Sequence, residues 1–174
     1  MTATAKRART GAATVIFTVT RTFDASRERV FKAWSEAAQL ERWWGPKGMT
    51  ISVKKLEFRP GGMFLYRMGL PNGDEWWGRF VYRDIARPER IVFVNSFSDP
   101  DGNVTRAPFA PTFPLQMLST ITLEEAGGRT TMILQSVALD ANEEEQATFA
   151  GMEKSMQGGW NGTLDQLAAH LTKG

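Results

Sequence analysis

From Met49 to Leu139 the chain repeats one pattern: a short stretch of alternating apolar residues, a tight turn, and alternation again. The stretches are Met49 to Phe58, with a phase slip at Lys54-Lys55 that predicts a bulge, then Met63 to Met68, Trp76 to Ile85, Ile91 to Phe97, Leu115 to Glu125 and Arg129 to Leu139. Arg59-Pro60-Gly61-Gly62, Pro71-Asn72-Gly73-Asp74, Arg87-Pro88-Glu89-Arg90 and Gly127-Gly128 supply the turn chemistry. After Asn142, which caps a helix with Glu143, Glu144 and Glu145 in its first turn, the period changes. Phe149, Met152, Met156, Trp160, Leu164, Leu167 and Leu171 recur at three or four, drawing one apolar stripe along a helix that ends near Thr172. Hairpin connections imply an antiparallel sheet, and a sheet with so few helices must curl around the one long apolar helix to bury its face. A curled sheet gripping a helix encloses a cavity wherever side chains do not fill it.

The N-terminal part completes this α+β plan. Thr14 to Phe23 is β-branched and aromatic and predicts a first strand. Asp24-Ala25-Ser26 offers an N-cap for a helix carrying Val30, Phe31 and Trp34. A second short helix from Ala37 carries Leu40, Trp43 and Trp44 and stops at Gly45-Pro46. Ser98 to Pro114 has no period and reads as a long exposed loop, with Phe109 and Phe113 outside; such a surface could receive a second copy, making a homodimer. Residues 1–13 read as a disordered basic leader and 14–172 as a single domain.

Composition narrows the chemistry. A chain of 174 residues buries roughly 68–70% of its unfolded surface and needs no disulfide or metal to hold a core. It has no cysteine, which excludes disulfide scaffolds, cysteine nucleophiles and thiolate metal sites and fits a reducing compartment. Without Lys6, Arg7 and Arg9 of the leader, the 21 basic residues become 18 against 19 acidic, a net charge of −1, so nucleic-acid binding is not expected. No apolar run approaches the roughly 18 residues that cross a bilayer, and no secretory signal precedes the first strand, so a cytoplasmic protein without membrane insertion is expected.

Several segments, in order, resemble the bacterial branch of the family named after the activator of the heat-shock-protein-90 ATPase, the AHSA-type family of the START-like (SRPBCC) helix-grip superfamily. They are Val30-Phe31-Lys32-Ala33-Trp34, Leu40 with Trp43-Trp44-Gly45-Pro46, and Arg59-Pro60-Gly61-Gly62. Gly78-Arg79-Phe80 with Ile85, and Arg87 through Phe93, continue the series. Gly158-Gly159-Trp160 with Leu164-Asp165-Gln166-Leu167 completes it, so that the resemblance spans 14 to 172. It implies a helix-grip fold: a curved seven-stranded antiparallel sheet around a long C-terminal helix, with two short helices after strand 1. Members of that superfamily bind lipids, hormones or polyketides, some act as cyclases or hydroxylases, and the eukaryotic namesake works on a chaperone. The fold by itself assigns no reaction.

Candidate chemistry is sparse. The single histidine, His170, falls in the last turn of the terminal helix, and one histidine without cysteine builds neither a typical zinc site nor a Ser-His-Asp triad, so no metal or cofactor is expected. Glu57, Asp74, Glu75, Asp84, Asp99 and Asp101 lie near strand ends or in loops where a cavity mouth could recruit a carboxylate. The six Trp and eleven Phe are more informative. Period two places Trp76, Phe80 and Tyr82, Phe93 and Asn95, and Met117 and Ser119 on inward faces, opposite Met156 and Trp160 of the helix stripe; Met132 would join them from the last strand, where period alone does not choose against Thr131, Ile133 and Val137. These ten residues are the expected ligand-binding set, Met and aromatic side chains being suited to an apolar guest. Gly158-Gly159 costs a helix about 2 kcal/mol relative to alanines, which a close approach to the sheet or to a ligand would explain. The leading expectation is binding of a small hydrophobic or amphipathic ligand between sheet and helix. The alternatives are a cyclase- or hydrolase-type enzyme using a cavity carboxylate and a chaperone-interacting module.

Overall fold

The computed structural model describes residues 15–173, so the expected leader at 1–13 lies outside the described residues. Strand β1 (Phe17–Phe23) is followed by helices α1 (Arg27–Ser35) and α2 (Ala37–Trp43). Strands β2 (Thr50–Leu56), β3 (Met63–Gly69), β4 (Glu75–Ala86), β5 (Arg90–Ser98), β6 (Val104–Thr105), β7 (Gln116–Ala126) and β8 (Arg129–Leu139) come next, and helices α3 (Glu143–Gly151) and α4 (Glu153–Thr172) close the chain. Every strand pair is antiparallel, in the order β1-β8-β7-β5-β4-β3-β2, with β6 beside the end of β5. The sheet is therefore curved and open, its edge strands being those that flank α1 and α2 in sequence.

Local chemistry explains the elements. The Ser26 hydroxyl accepts from the Arg29 amide at 3.3 Å to start α1, and Asn142 and Glu145 form a reciprocal capping box that starts α3. Gly127 and Gly128 both have positive φ, the geometry of a two-residue hairpin, and join β7 to β8 with Ala126 opposite Arg129. The register of β2 against β3 shifts between Val53 and Lys55, the bulge expected at Lys54-Lys55, and a second shift at Tyr82/Asp84 bends β4. A Cβ on Gly62 would lie 2.0 Å from the Glu57 carbonyl oxygen, so the Arg59-Pro60-Gly61-Gly62 turn closes only on glycine there.

Two expectations change. The single terminal helix is two, because Met152 leaves helical geometry (φ −98°, ψ 13°) and α4 begins afresh. The long exposed loop is partly ordered against the fold: Val104–Thr105 pairs with Phe97–Ser98, and Phe113 is buried at 5% exposure while Phe109 stays 51% exposed. Arg106 bonds the Phe113 carbonyl and forms an ion pair with Glu145, and Thr112 meets Thr148 at 2.8 Å, so the loop is fastened to α3. Only one of the two phenylalanines thus faces outward, leaving half of the surface expected for a second copy. Periodicity did not see the loop's order because its anchors are one short ladder and side-chain bonds across the fold.

The concave face of the sheet is filled at one end only. There α1 and the second half of α4 cover it: Val30, Phe31, Phe64, Phe93, Ile121, Met132, Leu134, Leu164 and Leu167 are fully buried. The opposite end of the same strands, where Phe17, Met68, Trp76, Phe97, Met117 and Ser136 stand, faces the first half of α4 across open space. No helix among the described residues is long and apolar enough to cross a membrane.

Candidate functional site

The open end of the grip is a cavity of about 500 Å³. Six strands supply its floor, from Phe17 of β1 across to Tyr66 and Met68 of β3. Met152, Ser155, Met156, Gly159, Trp160 and Thr163 form its roof, spaced along one face of the helix, and Trp44-Gly45-Pro46 closes one side. Phe109, Phe113 and Phe149 close the other. Exposed Phe109 packs on Trp76 (5.9 Å between ring centroids) and Phe97 (5.6 Å), so the fastened loop forms the cavity's rim.

A wall of indoles separates empty from filled space. Trp44, 9% exposed, lies 5.5 Å from Trp160, 5.6 Å from Trp34 and 5.4 Å from Phe80. Behind it Phe80 and Phe93 stack at 4.0 Å, and Tyr82 packs on Phe58 at 5.0 Å. The helix is fastened at this wall: Gln166 donates to the Gly45 carbonyl at 2.7 Å and to the Trp43 carbonyl at 3.2 Å, and the Thr163 hydroxyl donates to Gly45 at 3.1 Å. Gly45 itself sits at φ +92°, a backbone conformation that residues with a side chain rarely adopt, and a Cβ there would also displace the Ile51 Cδ1 methyl.

Of the ten expected binding residues, the cavity brings together Trp76, Asn95, Met117, Met156 and Trp160. Phe80, Tyr82, Phe93 and Met132 stand instead in the filled core, at 0 to 3% exposure, and Ser119 lies beneath the floor at 0%. Alternation identified the correct face of each strand, but which end of that face is filled depends on where α1 and α4 lie across it. Trp44, Tyr66, Phe17, Phe113 and Phe149 also line the cavity and were not in the expected set. Trp44 carried a signal, standing beside the Gly45-Pro46 helix stop; Phe17, Tyr66 and Phe149 share the inward period of ordinary core residues, and Phe113 lies in a segment without period.

Besides Tyr66, Ser96, Ser155 and Thr163, the polar side chains at the wall belong to one short chain of hydrogen bonds. Ser119 Oγ donates to Asn95 Oδ1 at 2.7 Å and lies 2.7 Å from Ser136 Oγ, a link running across β5, β7 and β8. Ser119 and Ser136 are directly opposed in the register, and Asn95, paired with Met117, is the diagonal neighbour. Burial pushes the Tyr66 phenol up to about 12, so it remains neutral and protonated at ordinary pH. None of the lining residues is Asp, Glu, His, Lys or Arg.

The candidate carboxylates lie elsewhere. Glu75 pairs with Arg67 at 2.6 Å and Asp84 with Arg90 at 2.5 Å, while Glu57 accepts from the Met63 amide. Asp74 is held in an Asx turn with Asn72, and Asp99 accepts from the Asn103 backbone amide and side chain and from the Asp101 amide, which holds its carboxyl below the usual range. A reaction needing a carboxylate base would find none on the cavity wall. His170 bonds Gln39 at 3.0 Å outside the cavity, and desolvation, with Arg42, Arg29 and Lys173 nearby, lowers its pKa. A Cβ on Gly158 or Gly159 would meet nothing within 4 Å, so close approach to the sheet does not explain the pair; Gly159 lies on the cavity roof.

Comparison with known proteins agrees with this architecture. The sequence profile of the family described as activator of Hsp90 ATPase homolog 1-like protein matches residues 24–172. No curated protein matches the chain. Among solved structures, a protein from Mycobacterium smegmatis is 25% identical with a TM-score of 0.73, the match covering 92% of this chain and 91% of that one. One from Arthrobacter aurescens is 28% identical at a TM-score of 0.73, covering 91% and 87%. The AHSA1 protein from Silicibacter pomeroyi, at 22% identity, has the same fold with a TM-score of 0.69 over 91% and 98%.

Proposed function

The chain belongs to the family of activator of Hsp90 ATPase homolog 1-like proteins, whose helix-grip fold is generally a ligand-binding one, and on that premise we propose that it holds a small hydrophobic or amphipathic molecule between the sheet and the first half of α4. One observation carries this reading: about 500 Å³ of space walled largely by Trp, Phe, Tyr and Met side chains, with no Asp, Glu, His, Lys or Arg among the lining residues. That volume falls within the roughly 300–1,000 Å³ of small-molecule sites, and its apolar surface favours a guest over water. Trp76, Asn95, Met117, Met156 and Trp160 are the contacts proposed from the original set, joined by Trp44 and Tyr66.

Native mass spectrometry of the purified protein, followed by titration with neutral apolar fluorophores, tests the reading. Three of the six Trp line the cavity, so a guest is expected to shift Trp emission saturably. Gly159→Phe, which grows a ring from the roof into the space, is expected to abolish uptake while the protein stays folded. Emission that ignores every probe, or uptake unaltered by Gly159→Phe, overturns the proposal.

A further inference from the structure

Resting on the reading of the cavity as a ligand site, we infer that its ligand is a flat, neutral molecule bearing a hydrogen-bond acceptor, a carbonyl above all, which the Asn95 side-chain amide receives. Each hydroxyl along the floor has one proton to give. Ser119 has one hydroxyl proton, and it goes to Asn95 Oδ1 at 2.7 Å. The 2.7 Å contact between Ser119 and Ser136 must then be donated by Ser136, so both hydroxyl protons are spent and the chain runs in one direction, Ser136 to Ser119 to Asn95. Its free end is the Asn95 NH2 group, which has no hydrogen-bond partner among the described residues, on a half-buried side chain at the cavity wall.

Ser119, fully buried, thus acts as a positioning residue that fixes which end of the Asn95 amide faces the guest. Oδ1 is the end of the amide turned to Ser119, so the NH2 end is the one presented to the cavity. The rest of the wall defines the remainder of the ligand. With no charged side chain lining the cavity, an ionic guest would lose its hydration without a counter-charge, which selects neutral molecules. Trp44, Trp160 and Tyr66 line the cavity, and such rings suit contact with a flat apolar body.

Fluorene and 9-fluorenone differ by one carbonyl and serve as the probe pair, their affinities measured by equilibrium dialysis. Fluorenone is expected to bind about three- to tenfold more tightly, the range of one net hydrogen bond. In Asn95→Leu that ratio is expected to fall to about one while fluorene still binds. Ser119→Ala, which frees the amide to rotate without touching the wall, is expected to reduce the ratio as well, and it serves should Asn95→Leu not fold. Equal affinity of the wild-type protein for both probes, or a ratio unchanged in the variants, overturns the inference and leaves the cavity reading standing. Uptake of neither probe overturns both.

Discussion

The two halves of α4 are built from one continuous helix yet meet the sheet differently. From Thr163 onward the helix is packed flush: Leu164 and Leu167 are at 0% exposure, and the Arg21–Asp165, Arg29–Leu171 and Gln166–Gly45 bonds tie it to β1, α1 and the end of α2. From Met152 to Trp160 its apolar side chains are only half-buried, and Gln157 ties it to the sheet by donating to the Thr18 carbonyl at 2.9 Å. One half holds the fold and the other roofs a space. Leucines interlock with a filled core, whereas Met, Gly and an indole at the boundary leave an adaptable wall.

The sharpest way to break this contrast is to truncate each half in turn. Leu167→Ala is expected to cost about 2–5 kcal/mol in chemical denaturation, the range for a buried leucine losing its contacts in a site that cannot collapse. Met156→Ala, on the cavity wall, is expected to cost about 1 kcal/mol or less, since it enlarges existing space and adds a better helix former. Equal costs would mean that the two halves contribute alike and that the cavity has no consequence for stability.

A smaller effect sharpens the comparison from the other side. Gly158 is exposed, and a Cβ there meets nothing within 4 Å, so Gly158→Ala is expected to raise stability by about 1 kcal/mol. A fall in stability would show that the roof half needs the glycine's freedom rather than merely tolerating it.

The smallest expected effect is on pH dependence, and it belongs to the fastened half. His170 has its pKa lowered from 6.5 by desolvation first and by Arg42, Arg29 and Lys173 after it. The unfolded chain therefore binds this proton more readily than the folded one. Stability from this group is complete above pH 6.5 and declines as pH falls through that value toward the lowered folded pKa. Thermal unfolding in parallel with His170→Gln is expected to show a shallower decline between about pH 7 and 5 in the variant, about the range His titrates in; superimposable curves would contradict it.

Much of this was legible from residues alone because the signals were local. Alternation and turn glycines marked the strands, the double positive φ at Gly127-Gly128 followed from their lacking Cβ, and Asn142 with Glu145 announced the cap of α3. The Phe109 to Phe113 segment was illegible because a two-pair ladder, too short to show a period, and the Arg106–Glu145 and Thr112–Thr148 contacts, made across long sequence separations, order it. The binding set was legible by face but not by depth. Trp76 and Tyr82 share a face of β4, yet one lines the cavity and the other is buried in the core.

The sequence by itself determined which surfaces turn inward, because side-chain direction along a strand or helix is a matter of period. Tertiary structure alone decided where that interior is filled. The space above Asn95 exists because the indoles of Trp44 and Trp160 meet at the middle of α4 and the leucines interlock only beyond them. No local rule encodes the distance between two elements that far apart in the chain; packing of the whole sets it.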